Sequence, residues 1–140
     1  MAIRKLKLDD YQEFLCLIND FIETYFTQED FKKILETASN KEIWVYEFDN
    51  KLLATASIIY ETKFIFNICK SALIEDVCTK KEFRNKGYGK KIIEHLISEA
   101  SYHNCYKINL VCNSNLIPFY KSSGFEQRGV HLSILIKKPI

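Results

Sequence analysis

Apolar and polar residues alternate with two different periods along this chain, and the changes of period mark its elements. Ile3 to Leu8 alternates at every second position, as a half-buried strand does. After Asp9 or Asp10, either placed to cap a helix, Phe14, Leu17, Ile18, Phe21 and Ile22 recur at helical spacing. Thr27-Gln28-Glu29-Asp30 has the form of a capping box and predicts a second helix, with Phe31, Ile34, Leu35 and Ala38 inward. Ile43 to Phe48 is aromatic and β-branched, hence a strand. Asp49-Asn50-Lys51 is a turn, and Leu52 to Tyr60 returns as the second arm of a hairpin.

A less patterned stretch, Glu61 to Ser71, leads to a strand from Ile74 and then a helix beginning near Gly89. Its apolar face is Ile92, Ile93, Leu96, Ile97 and Ala100. Tyr106 to Cys112 reads as a buried strand through Ile108, Leu110 and Val111. Ser114 or Asn115 caps a short helix, Pro118 is tolerated in its first turn, and Gly124 stops it. Phe125 to Ile136 supplies a last strand or strand pair. The order β-α-α-β-β-β-α-β-α-β predicts an α/β (α+β) fold, a central mixed sheet flanked by helices. No linker or repeat interrupts it, so residues 1–140 are expected to form a single domain.

Composition narrows the partners. Twenty basic residues against eighteen acidic ones leave +2, too little for nucleic-acid binding by charge, so none is expected. No apolar run reaches the roughly 18 residues of a membrane span, and the amino-terminal residues lack a signal-peptide core. Five cysteines without a C-x-x-C read as small buried hydrophobes in a reducing compartment, which makes a cytoplasmic location the expectation. His95, His103 and His131 make no ligand pattern with each other or with cysteine, so no metal is expected.

The candidate chemistry lies between Ile74 and Glu94. The first amides of the helix near Gly89 have no intrahelical acceptors, and the helix dipole adds partial positive charge there. Gly87 and Gly89 place no side chain between those amides and an anion. Arg84, Lys86, Lys90 and Lys91 surround the same point. The Walker A pattern fails for want of an upstream glycine, and G-x-G-x-x-G fails at Ile92. What stands is R-x-x-G-x-G, Arg84 to Gly89, after a strand carrying Glu75-Asp76.

That pattern resembles the acetyl-CoA pyrophosphate loop of the GCN5-related N-acetyltransferases. Asn113, seven residues before Tyr120, and Phe119-Tyr120-Lys121-x-x-Gly124-Phe125 resemble two further segments of the family, and the element order matches over essentially the full length. Ile74-Glu75-Asp76-Val77, Cys105-Tyr106-Lys107-Ile108-x-Leu110 and Glu61-Thr62-Lys63-Phe64-Ile65 are similar to its glucosamine-6-phosphate N-acetyltransferase branch. The resemblance implies acetyl-CoA as cosubstrate and transfer to a primary amine by direct attack. It also implies a homodimer with residues crossing between subunits, and a place in UDP-N-acetylglucosamine synthesis.

It further implies roles for particular residues. Val77, Cys78 and Thr79 would grip the pantetheine through their main chain. Arg84, Asn85, Lys86, Gly87, Tyr88, Gly89, Lys90 and Asn113 would hold the rest of the cofactor. Lys63, Tyr106 and Lys107, with Glu75 and Asp76, would bind the acceptor. Amide formation from a thioester needs a neutral amine, a polarised carbonyl, alignment, and a proton for the departing thiolate. Tyr120 is the candidate general acid, since a phenol near pKa 10 is protonated at neutral pH. Glu75 and Asp76 are candidates to orient the amine, alternating on their strand so that one faces the pocket. Cys78 and Cys112 have no histidine placed to activate them, which argues against an acyl-cysteine route.

The acceptor is less constrained. Phe66, Leu73, Leu116 and Leu135 stand where the sugar-phosphate branch tends to carry polar or basic groups, and each removes a donor that a phosphate would use. Glucosamine 6-phosphate leads. The alternatives are another amine (a polyamine, an antibiotic or a protein amino group) and a non-catalytic acyl-CoA-binding domain.

Overall fold

The computed structural model describes residues 2–139, so the ends of the expected domain, Met1 and Ile140, lie outside the described residues. The chain groups into two compact units that divide after Leu110. In the first unit five strands lie side by side in sequence order: β1 (Ala2–Lys5), β2 (Lys41–Phe48), β3 (Lys51–Lys63), β4 (Cys69–Thr79) and β5 (Cys105–Leu110). The first three junctions are antiparallel and β4–β5 is parallel. A parallel neighbour needs a long crossover, and helix α3 (Tyr88–Tyr102) provides it. The expected mixed sheet flanked by helices is present.

Alternation along β2 separates the two faces. Val45 joins Leu6, Tyr11, Leu17, Phe31, Leu52 and Cys78 in one core cluster. Its neighbours Trp44 and Tyr46 turn the other way and stack on His95 and Tyr88 of α3. Helices α1 (Tyr11–Asn19) and α2 (Gln28–Thr37) therefore cover one face and α3 the other. Ile92, Ile93, Leu96 and Ala100 of α3 are buried, as their spacing predicts. The capping box of α2 forms as read: Thr27 Oγ1 accepts from the Asp30 amide at 3.0 Å, and Asp30 Oδ2 from the Thr27 amide at 3.1 Å.

Five elements differ from the pattern reading. Helix α1 stops at Asn19, so Phe21 and Ile22 fall beyond it and are exposed, as are Ile34 and Ala38 on α2. The stretch Glu61 to Ser71 is mostly strand, because pairing of Tyr60 with Ala72 and Thr62 with Lys70 extends the hairpin to a turn at Phe64–Ile68. Cross-strand pairing decides there, not residue propensity. Strand β5 is half-buried, not buried, since it forms the edge of the sheet and Val111 is exposed. The expected last strand at 125–136 is absent among the described residues, and Val130, Leu132, Ile134, Leu135 and Ile136 are exposed.

The cysteines also depart from expectation. Cys78 is buried, Cys16 is exposed, and Cys69, Cys105 and Cys112 are half-buried.

The second unit opens with a 3-10 turn, Ser114–Leu116, and continues as α4 (Ile117–Lys121). Asn113 occupies the cap position, and neither Ser114 nor Asn115 does. Gly124 ends the helix as expected, at φ +100°, with its amide on the Lys121 carbonyl at 3.0 Å.

Candidate active site

Strand β4 pairs with β5 only from Lys70 to Ile74, whose partners run from Cys105 to Leu110. From Glu75 to Thr79 the side of β4 facing β5 has no strand partner among the described residues, while the β3 side stays paired through Cys78 and Thr79. The main chain of Val77, Cys78 and Thr79 is thus open along one edge. Unpaired amides and carbonyls on an interior strand can hold another extended, amide-bearing molecule.

A bulge sits where the splay begins. Thr55 pairs with Cys78 and Ser57 with Glu75, so β4 carries one residue more than β3 across this step. Asp76 takes up the difference at φ +53°. The expected alternation of Glu75 and Asp76 does not survive: both side chains are exposed, because a left-handed residue breaks the two-residue period. Ile74 and Cys78 on either side are buried. The Cys78 thiol lies against the Leu17 carbonyl, with Sγ at 3.4 Å, and burial pushes it up to about 11. It is a packed thiol, not a nucleophile.

After β4 the chain makes a 3-10 turn at Lys81–Phe83 and enters α3 through Asn85 and Gly87, both left-handed at φ +63° and +89°. The first amide of α3 to find a main-chain acceptor is that of Lys91, on Gly87 at 3.1 Å. The amides of Tyr88, Gly89 and Lys90 precede it and have none, which makes the mouth of α3 a ready anion cradle. A Cβ built on Gly87 meets nothing within 4 Å, so the space over the turn is open.

Arg84, expected to help hold the cofactor, is engaged with the main chain. Its Nε donates to the Thr79 carbonyl at 3.1 Å and its Nη2 to the Asp20 carbonyl at 2.9 Å. Asp20 answers with its carboxylate, which accepts from the Lys81 amide at 2.8 Å. The arginine therefore ties the cradle to the end of α1. Sequence reading missed Asp20, and a partner sixty-four residues from Arg84 leaves no local signal. Of the surrounding lysines, Lys86 lies over the Phe83 ring and Lys90 is 3.9 Å from Glu94.

The acceptor candidates divide. Lys63 ends β3, 3.4 Å from Glu61, and Lys107 lies over the ring of Tyr106, which stacks on Phe66. Lys107 pairs with Ser71, five residues before Asp76 on β4, a separation of about 16 Å at strand rise. Within one chain, Lys63, Tyr106 and Lys107 stand apart from Glu75, Asp76 and the open edge. In the second unit, Asn113 is exposed, and Tyr120 is buried with its ring edge-on to Phe119 and Phe125. Burial, with a smaller contribution from Cys112, raises the Tyr120 phenol above its ordinary value. No helix among the described residues is long and apolar enough to cross a membrane.

The acetyltransferase (GNAT) family model matches residues 2–125. Glucosamine 6-phosphate N-acetyltransferase 1 of Dictyostelium discoideum is 32% identical over 99% of this chain and 93% of its own length. Glucosamine 6-phosphate N-acetyltransferase of Arabidopsis thaliana is 32% identical over 94% of this chain and 93% of its own. The crystal structure of the Arabidopsis enzyme superposes with a TM-score of 0.89 at 31% identity, covering 97% of this chain and 98% of that one.

Proposed function

Because the chain belongs to the acetyltransferase (GNAT) family, we propose that it moves the acetyl group of acetyl-CoA onto the 2-amino group of glucosamine 6-phosphate. The observation that carries this is the unpartnered edge of β4 from Glu75 to Thr79 beside the free amides of α3. A pantetheine arm extends along the first and a diphosphate rests on the second. The sugar acceptor is supported by full-length likeness to two enzymes bearing that name.

In this reading residues 1–140 work as one catalytic domain. The main chain at Val77–Thr79 polarises the thioester carbonyl, and Glu75 or Asp76 orients the neutral amine and takes its proton through water. Attack forms the C–N bond; collapse of the oxyanion breaks C–S, and Tyr120 protonates the departing thiolate. Asn113 holds the cofactor arm. Lys63, Tyr106 and Lys107 bind the sugar phosphate in the partner subunit of a homodimer, which accounts for their distance from the open edge of their own chain. The exposed apolar residues from Val130 to Ile136 are what a partner chain would cover. Five free thiols suit a cytoplasmic enzyme feeding UDP-N-acetylglucosamine synthesis.

Phe66, Leu73, Leu116 and Leu135 favour a second reading, in which the same site serves an amine without a phosphate. Incubation with acetyl-CoA and a panel of amines, following free thiol, decides between them. Thiol release confined to amino-sugar phosphates supports the proposal. Release with other amines supports the second reading, and cofactor binding without release removes both.

A further inference from the structure

On the α3 face of the sheet, remote in sequence from the open edge of β4, lies a cluster the acetyl transfer does not use. His95 and Glu99 stand four residues apart on one face of α3, and His103, the residue that caps the helix, follows at the same interval. Glu42 of β2 meets them from the sheet. One donor atom each of Glu42, Glu99 and His103 lies within 4.8 Å of the others. We propose that these three side chains bind a divalent transition-metal ion of the zinc class, with His95 orienting Glu99.

The distances distinguish such a site from an ordinary ion-pair network. His103 Nε2 is 3.8 Å from Glu99 Oε2, beyond hydrogen-bond range. Two donors on one tetrahedral ion, at bonds of 2.0–2.2 Å, stand about 3.3–3.6 Å apart, aimed at the ion and not at each other. His95 Nε2 shows the same misalignment on the other oxygen, 3.5 Å from Glu99 Oε1, buried and without a hydrogen-bond partner. Drawing Glu99 toward an ion lets that nitrogen bond the carboxylate, as outer groups hold metal ligands elsewhere.

Glu42 has comparable support. Its Oε1 accepts from Tyr60 at 3.1 Å and Trp44 at 3.4 Å, and its Oε2 from Lys5 Nζ at 2.8 Å. The groups facing the cluster are thus two carboxylates, one ammonium, two imidazoles and a phenol. With neutral imidazoles the charge is −1, which attracts a dication. Imidazole beside carboxylates suits zinc, cobalt or nickel better than magnesium or calcium. All three proposed ligands are half-buried, open enough for an ion to enter. Lys5 is the resident competitor, which gives the site its sharpest test.

Cobalt(II) titration of the full chain, followed optically and by thermal denaturation, reads the site directly. The expected result is one ion per chain, a raised melting temperature, and visible bands without the intense near-ultraviolet thiolate band that any of the five free cysteines would add. His103→Ala and Glu99→Gln should each weaken binding at least tenfold. Lys5→Met should tighten it severalfold, an outcome no structural ion pair produces. Acetyl-transfer activity, unchanged in each variant, reports that it folds. Absence of saturable binding at millimolar cobalt overturns the proposal. So do a thiolate band, and binding retained in His103→Ala and in Glu99→Gln. Should either variant lose activity, His103→Gln supplies the same test with a smaller change of shape.

Discussion

The Arg84 guanidinium donates to the Asp20 carbonyl at 2.9 Å, and through that bond the turn before α3 is fastened to the end of α1. The same side chain holds the Thr79 carbonyl at 3.1 Å, where the open edge of β4 ends. Three pieces of chain, the end of β4, the turn before α3 and the end of α1, are thus clamped by one residue. A fork of fixed donors does this in a way that a single ammonium cannot.

Arg84→Lys should therefore weaken acetyl-CoA binding several-fold while retaining the charge. The loss of stability should be small, about 1 kcal/mol, since both bonds are solvent-exposed. Asp20→Ala, far from any phosphate in sequence, should reproduce the loss by releasing the Lys81 amide. Calorimetry with coenzyme A and denaturant titration measure the two quantities. An Asp20→Ala protein that binds coenzyme A like wild type would show that the clamp is incidental.

Gly87 lies in the left-handed region at φ +89°, and its missing Cβ would point into open space. Two effects of substitution can therefore be separated. Gly87→Val should lose about 1–3 kcal/mol from backbone strain and also crowd the diphosphate. Gly87→Asn tolerates the left-handed conformation and should recover most of the stability, yet still bind coenzyme A poorly. Recovery of affinity along with stability in the asparagine variant would confine the glycine's role to backbone conformation.

The strand–loop–helix was legible from local spacing alone: glycines at 87 and 89, the basic residues around them, and the apolar face from Ile92 to Ala100. What local pattern could not supply was whatever depends on a distant partner. Asp20 carries no mark of its bond to Arg84. The bulge at Asp76 arises from register against β3, and the reading of Glu75 and Asp76 as strictly alternating failed for that reason. The apolar run from Val130 to Ile136 has a strand's composition. With β5 at the edge and no ladder formed beyond it among the described residues, composition was not enough. His95 and His103 make no ligand pattern with each other or with cysteine, and Glu99 between them carries no mark in the sequence of the Glu42 carboxylate it meets from β2.

Tyr120→Phe removes a proton donor and keeps the ring packed between Phe119 and Phe125. The turnover number should fall about a hundredfold with little change in acetyl-CoA affinity. Since burial raises the phenol above its ordinary value, any alkaline fall in the wild-type rate from this group should come later than an ordinary tyrosine would give. Pre-steady-state thiol release across pH gives both readings. An unchanged turnover number in the phenylalanine variant would take Tyr120 out of the mechanism.

Acid stability has its own anchor, at the start of the chain. Arg4 binds Asp10 through two bonds of 2.8 and 2.9 Å and reaches Glu47 as well, joining β1, the first turn and β2. Burial alone would raise the Asp10 carboxyl. The Arg4 guanidinium and the Lys7 amide outweigh it and hold the group below its ordinary value. A carboxylate lowered on folding stabilises above its unfolded pKa of about 3.9, and that stabilisation drains away as pH falls through the lowered value. Asp10→Asn should therefore cost about 1–3 kcal/mol at pH 7, because it leaves a half-buried guanidinium short of its partner. Below about pH 4 the gap between the two proteins should begin to narrow, and it should close once pH has passed the lowered folded-state value, since protonation deprives the wild type of the same interaction. Urea unfolding at pH 7, 5 and 3 tests this, and a gap that stays constant across the three would exclude the Arg4–Asp10 pair as its source.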